Sequence, residues 1–166
     1  RVARIVYETA AKSGKRVQAL GGAKNHIIAM PDAVLDQSVP NIAESAFGNA
    51  GQRCLAGSVL TLVGEARERM LPRLLEHADT IKMGFGLDAG VSLGPVIRGE
   101  ARERIHTLVD QGVAAGAKML RDGRGTGPEK GYFVGPTLLE IAPTSPLARE
   151  EVFGPVLSVL YAKDLD

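Results

Sequence analysis

"AFGNAGQRCLAG", residues 46–57, holds the only cysteine of this 166-residue chain. Gly48, Gly51 and Gly57 clear space around it for a ligand or for another stretch of backbone. Gln52 and Arg53 stand directly before the thiol, out of character for a hydrophobic core, and a guanidinium beside a thiol favours the nucleophilic thiolate. Against this, a lone Cys followed by Leu55 and Ala56 is ordinarily a small buried hydrophobe. The local residues leave both readings of Cys54 open. The flanks are clearer. Upstream, residues 35–50 place Val39, Ile42, Ala43 and Ala46 on one helical face, with Pro40 in the first turns and Gly51 as a stop. Downstream, "SVLTLV" (58–63) is a β-branched strand. The cysteine therefore sits in a turn between a helix and a strand.

Working outward, the same alternation continues. Residues 1–13 space Val2, Ile5, Val6 and Ala10 as a helix that Gly14 ends. "KRVQAL" (15–20) and "NHIIAM" (25–30) read as short strands, closed by Gly21-Gly22 and Pro31. Residues 66–79 form an amphipathic helix, bent or begun near Pro72, and 84–95 form a Gly-rich loop. A helix over 98–115 turns Ile105, Leu108, Val109 and Val113 inward. "AKMLRDG" (117–123) is a strand and 124–131 a surface turn. Residues 132–142 are extended, with Pro136 arguing against a central strand there, and "PVLSVLYA" (155–162) is a buried strand. Strands separated by helices predict an α/β fold, a mainly parallel sheet with helices on both faces.

Composition narrows the function classes. A 45% hydrophobic and 23% charged chain is a globular profile, and a net charge of +1 offers no nucleic-acid surface. No apolar run reaches the ~20 residues of a membrane span, so neither nucleic acid nor membrane is an expected partner. One cysteine excludes an internal disulfide and fits a reducing compartment, a bacterial cytoplasm or a mitochondrial matrix. His26 has the setting of a packed, hydrogen-bonded strand histidine. His77 and His106 show no metal-ligand spacing with each other or with Cys54, so no metal is expected.

Four ordered motifs carry a resemblance. "FGNAGQRC" (47–54), "GPVI" (94–97), "GYFVGPTLL" (131–139) and "EEVFGPV" (150–156) are similar to the motifs of the aldehyde dehydrogenase superfamily over essentially the whole chain. The resemblance implies that Cys54 adds to an aldehyde carbon, that hydride passes to NAD, and that a thioester remains. It implies a Cys54 backbone N–H in the oxyanion hole, Glu151 on the nicotinamide ribose and Phe153 beside the nicotinamide. Asn49, Gly51 and Gln52 match the nucleophile motif. It also implies that residues 1–22 end a cofactor-binding domain and that 23–166 are most of a catalytic domain, truncated at both ends. The pyrophosphate loop and the oxyanion Asn are then expected before residue 1.

One departure is informative. Hydrolytic members carry a Glu in a Glu-Leu-Gly-Gly-Lys segment, and that Glu activates the deacylating water. Here the segment is "ALGGAKNHIIAMPDA". The gapless register on Lys24 and Asp32-Ala33 puts Leu20 at the base position, and the register on the glycines puts Ala19 there. Neither side chain accepts a proton, so a thiol such as coenzyme A is the expected acyl acceptor. "GAKNH", "MPDA" and Gln-Arg-Cys resemble the CoA-acylating methylmalonate-semialdehyde dehydrogenase branch of valine and inositol breakdown. That branch implies that Arg53, with a second Arg from an earlier segment, holds the carboxylate of a small semialdehyde, in a protein that is a homo-oligomer. A hydrolytic or otherwise acylating enzyme for a different aldehyde remains an alternative. So does a non-catalytic assembly domain, against which stand Cys54, Glu151 and Phe153 together.

Overall fold

The computed structural model describes residues 2–164. In chain order the elements are α1 (Val2–Lys12), β1 (Asn25–Ala29), α2 (Leu35–Phe47), β2 (Gly57–Val63), α3 (Ala66–Thr80), α4 (Gly99–Ala114), β3 (Lys118–Arg121), β4 (Thr137–Glu140) and β5 (Val156–Ala162). The expected helix start at residue 1 lies outside the described residues.

The five strands form one sheet in the order β1-β2-β5-β4-β3, parallel throughout except for the β3–β4 pair. Adjacent residues of β2 (Val59, Leu60), β4 (Leu138, Leu139) and β5 (Val156, Leu157) are all buried, so both faces of the inner strands are covered. That is why these strands read as near-continuous apolar runs instead of alternating ones. α3 packs its Met70, Leu74 and Ala78 stripe into the core, and α2 adds Val39, Ile42, Ala43 and Ala46. Burying one such Leu is worth roughly 1.5–3 kcal/mol.

Several expectations change. Residues 15–20 are not a strand: exposure alternates from Val17 to Leu20, but no described strand pairs with the segment. β1 is consequently the sheet edge, which leaves His26 and Ile28 exposed, so His26 is not the packed histidine expected. α3 is continuous through Pro72 because its buried stripe, from Ala66 to Ala78, anchors it on both sides of the proline. In α4, Gly112 and not Val113 faces inward, at the i, i+4, i+7 phase of Ile105 and Val109. A Cβ there would meet Leu147 Cγ at 2.8 Å, so only glycine fits beneath that leucine. Pro136 stands immediately before β4, which lets the following residues form an interior strand.

Candidate functional site

The α-helix before the cysteine ends at Phe47, earlier than periodicity suggests. Residues Gly48–Gly51 form a tight 3-10 turn in which Asn49 (φ 54), Ala50 (φ 53) and Gly51 (φ 66) all lie in the left-handed region. Such conformations cost a non-glycine residue on the order of 1–3 kcal/mol and persist only where surroundings enforce them. The enforcement is visible. Asn49 Nδ2 donates to the Gln52 carbonyl (3.3 Å), while the Gln52 backbone N–H donates back to the Asn49 carbonyl (3.1 Å). The Gln52 Oε1 accepts from the Ile97 N–H (2.9 Å), which ties this loop to the "GPVI" segment. Gly51 abuts Gly154: a Cβ on Gly51 would collide with the Gly154 carbonyl and lie 2.9 Å from Pro155 N. Three of the motifs read in the sequence therefore touch through Gly51 and Gln52.

Cys54 follows in a turn closed by the Ala56 N–H on the Arg53 carbonyl (3.1 Å), and it is solvent-exposed. Arg53 is exposed as well. Its Nη2 donates to the carbonyls of Glu44 (2.6 Å), which also accepts the Gly48 N–H, and Ser45 (3.0 Å) in the last turn of α2, where the helix end carries partial negative charge. No other Arg53 nitrogen has a partner among the described residues.

The segment 150–154 approaches from the other side. Arg104 of α4 donates to the carbonyls of Val152 (Nη1, 2.7 Å) and Glu151 (Nη2, 2.6 Å), and pairs with Glu150 Oε1 (3.3 Å). Lys24 Nζ donates to the Glu150 carbonyl (2.9 Å). Burial pushes the Lys24 ammonium down to about 8, and the carboxylates of Glu150 and Glu151 oppose part of that shift. The Glu151 carboxylate accepts no hydrogen bond among the described residues, and its Oε2 lies 3.7 Å from where a Cβ on Gly22 would stand. Phe153 adopts φ 53 and is 43% exposed, an unusual state for a large aromatic. An open depression of about 410 Å³ lies between Gly21, Gly22, Lys24, Arg104, Glu150 and Glu151.

Gly51, Arg53, Glu151 and Phe153 line one narrow cleft. Asn49, Gln52 and Cys54 belong to the loop that forms one of its walls. Four contributors have roles that the sequence does not disclose: Lys24, Asn25, Ser58 and Arg104. Lys24 and Asn25 stand in the quoted "GAKNH" stretch, but nothing there marks which backbone groups they hold. Among the described residues no group of three or more His, Cys, Asp or Glu side chains could hold a metal ion, and no helix is long and apolar enough to cross a membrane.

The exposed cysteine thus sits on a strained helix-to-strand loop whose neighbouring residues Gly51 and Arg53 share a cleft with Glu151 and Phe153. The chain belongs to the aldehyde dehydrogenase family, whose model matches residues 1–166. Within it, the chain is 52% identical over 168 residues to malonate-semialdehyde dehydrogenase 2 of Geobacillus thermodenitrificans, a match covering 99% of this chain and 35% of that protein. Two solved structures superpose with TM-scores of 0.92. One is a Sinorhizobium meliloti 1021 protein assigned as a methylmalonate-semialdehyde dehydrogenase and complexed with NAD, 42% identical, with 98% of this chain and 34% of that one covered. The other is the methylmalonate-semialdehyde dehydrogenase of Oceanimonas doudoroffii, 39% identical, with 99% and 35% covered. The chain thus spans about a third of the length of these relatives.

Proposed function

We propose that the complete protein is an NAD-dependent, CoA-acylating (methyl)malonate-semialdehyde dehydrogenase, and that this chain supplies its nucleophile. In this reading residues 1–22 end the cofactor-binding domain and 23–166 belong to the catalytic domain. The observation that carries it is the exposed Cys54 in a loop fixed from both neighbouring motifs. The names of the relatives support the aldehyde, and the NAD complex of one of them supports the cofactor.

The residues present fit such a cofactor: the unbonded Glu151 carboxylate, on the lining of the open depression beside Gly22, offers two acceptor oxygens to a ribose diol. NAD, when bound, supplies the hydride acceptor for the aldehyde carbon. The chain does the rest. The Cys54 thiolate adds to that carbon, and in this reading its backbone N–H donates to the developing oxyanion. Arg53, held by Nη2 on the α2 carbonyls, keeps its remaining N–H groups for the substrate carboxylate. The acyl group then rests on sulfur as a thioester. Ala19 and Leu20 accept no proton, so water receives no general-base help from that segment. The β-carboxylate of this thioester leaves as carbon dioxide, its C–C bonding pair passing into the thioester carbonyl as an enolate that takes up a proton. The CoA thiolate then attacks the thioester carbonyl, the Cys54 thiolate leaves, and acetyl-CoA or propionyl-CoA is released.

The test is turnover of malonate semialdehyde by the complete protein with NAD, with and without CoA, followed by mass analysis of the Cys54 peptide. We expect turnover to require CoA and acylated Cys54 to accumulate without it. Equal rates in both conditions would make the enzyme hydrolytic. No turnover and no adduct under either condition would favour the assembly role.

A further inference from the structure

We propose that Asn25 is the positioning residue of the Cys54 nucleophile, resting on the functional reading above. The Asn25 side-chain amide spends both of its protons on the cysteine turn. Nδ2 donates to the Cys54 carbonyl (2.8 Å) and to the Ala56 carbonyl (2.8 Å). With the Ala56 N–H on the Arg53 carbonyl, four backbone groups of residues 53–56 are thereby held. No other side chain bonds the backbone of Cys54 among the described residues.

The reach of Asn25 is built into the sheet. β1 and β2 pair in register from His26–Val59 to Ala29–Leu62, but Asn25 lies opposite Gly57, so Ser58 is one residue too many. This bulge falls at the end of the strand pair next to the nucleophile, where bulges commonly re-aim a side chain. The extra residue is put to use. Ser58 Oγ accepts from the Asn25 N–H (3.1 Å) and donates to the Asn25 carbonyl (3.2 Å). One hydroxyl satisfies both backbone groups that the bulge takes out of the ladder, and the Asn25 side chain is left to face the cysteine turn. Ser45 Oγ accepts from the Gly57 N–H (3.1 Å) and fixes the end of that turn to α2. The chain Ser58–Asn25–Cys54 thus transfers the rigidity of the sheet to the one loop that carries the thiol. An aldehyde carbon attacked by sulfur needs a near-attack separation of roughly 3–3.5 Å, and a misplacement of about 1 Å costs on the order of 10²-fold in rate.

The experiment uses the complete protein with Asn25→Ala and Asn25→Asp, the latter nearly isosteric but without a donor. Two readouts are paired. Hydrogen exchange should rise about tenfold in residues 53–57 and stay unchanged in 59–63. In steady state, kcat for malonate semialdehyde should fall about 10- to 100-fold with KM for aldehyde and NAD within twofold. Ser58→Ala should move both readouts in the same direction by a smaller factor, and it serves if the Asn25 variants do not fold. Unchanged exchange in 53–57 overturns the clamp. A kcat loss no larger than the loss of folded protein, measured by Cys54 titration, overturns the positioning role. If the unsubstituted protein oxidises no aldehyde, the functional reading fails by itself, and the exchange measurement still decides the clamp.

Discussion

Gly51→Ala would place a methyl group where the backbone of Gly154 and Pro155 already stands, 2.9 Å from Pro155 N and in collision with the Gly154 carbonyl. It would also put an L-residue at φ +66. The conformational part costs roughly 1–2 kcal/mol. Overpacking against a backbone that cannot rotate away adds about 1–3 kcal/mol. Lower entropy of the unfolded chain returns about 0.4–1 kcal/mol. The expected net destabilisation is on the order of 2–4 kcal/mol. Gly90→Ala is the internal control, since Gly90 has φ +77 but nothing within 4 Å of the added carbon. It isolates the conformational part, about 1 kcal/mol. Urea midpoints of the complete protein measure both. Because Gly51 joins the cysteine loop to the segment bearing Glu151 and Phe153, aldehyde oxidation should fall by about 10²-fold in Gly51→Ala and be spared in Gly90→Ala. If the two variants shift the midpoint equally, the close approach at Gly154 is not tight and the reasoning is wrong.

Arg53→Leu should lower kcat/KM for carboxylated aldehydes about 10- to 100-fold, the equivalent of losing a charge-assisted contact of ~1.5–3 kcal/mol, and should spare propanal. Equal losses on both substrates would reduce Arg53 to a cap for the α2 carbonyls of Glu44 and Ser45. Leu20→Glu should raise the CoA-independent release of acyl-enzyme, by less than the ~10²–10⁴-fold typical of general-base help. Ala19→Glu is the register control, and a response there alone would shift the alignment by one residue. Lys24 titrates near 8 in the folded protein against 10.5 when free, so between those pH values the unfolded chain binds more protons and stability rises with pH. The stability difference between the natural protein and Lys24→Met should therefore grow in favour of the natural protein from pH 8 to 10.5. A flat difference would mean that burial does not hold the ammonium down.

Strands whose apolar side chains are buried on both faces announce themselves, and β2 and β5 were legible for that reason. Residues 15–20 misled because a strand exists only with a partner, and alternation alone does not supply one. The early end of α2 was hidden because Ala50, a strong helix former, adopts φ 53 under tertiary constraint. Gly112 was overlooked because its inward face depends on Leu147, which lies far along the chain. Of the candidate site, Cys54, Arg53, Glu151 and Phe153 were singled out through motifs that resemble those of the family, since their local chemistry alone leaves their roles open. Asn25, Ser58, Lys24 and Arg104 act through backbone carbonyls and amides of distant segments, and no local pattern marks such a role.

The sheet order also bears on synthesis. β5, the last of the five described strands in chain order, sits in the centre, between β2 and β4. Until residues 156–162 leave the ribosome, the strand "VLTLV" of β2 has an open edge, and so does β4 on the other side. At a translation rate of about 5–20 residues per second, that edge stays unpaired for on the order of ten seconds. A bare, β-branched, uncharged edge is a template for pairing with another nascent chain. On polysomes this sheet is thus most exposed to aggregation in the interval before β5 arrives, and a holdase that covers β2 during that interval would raise the yield of folded protein more than one added after β5 has emerged.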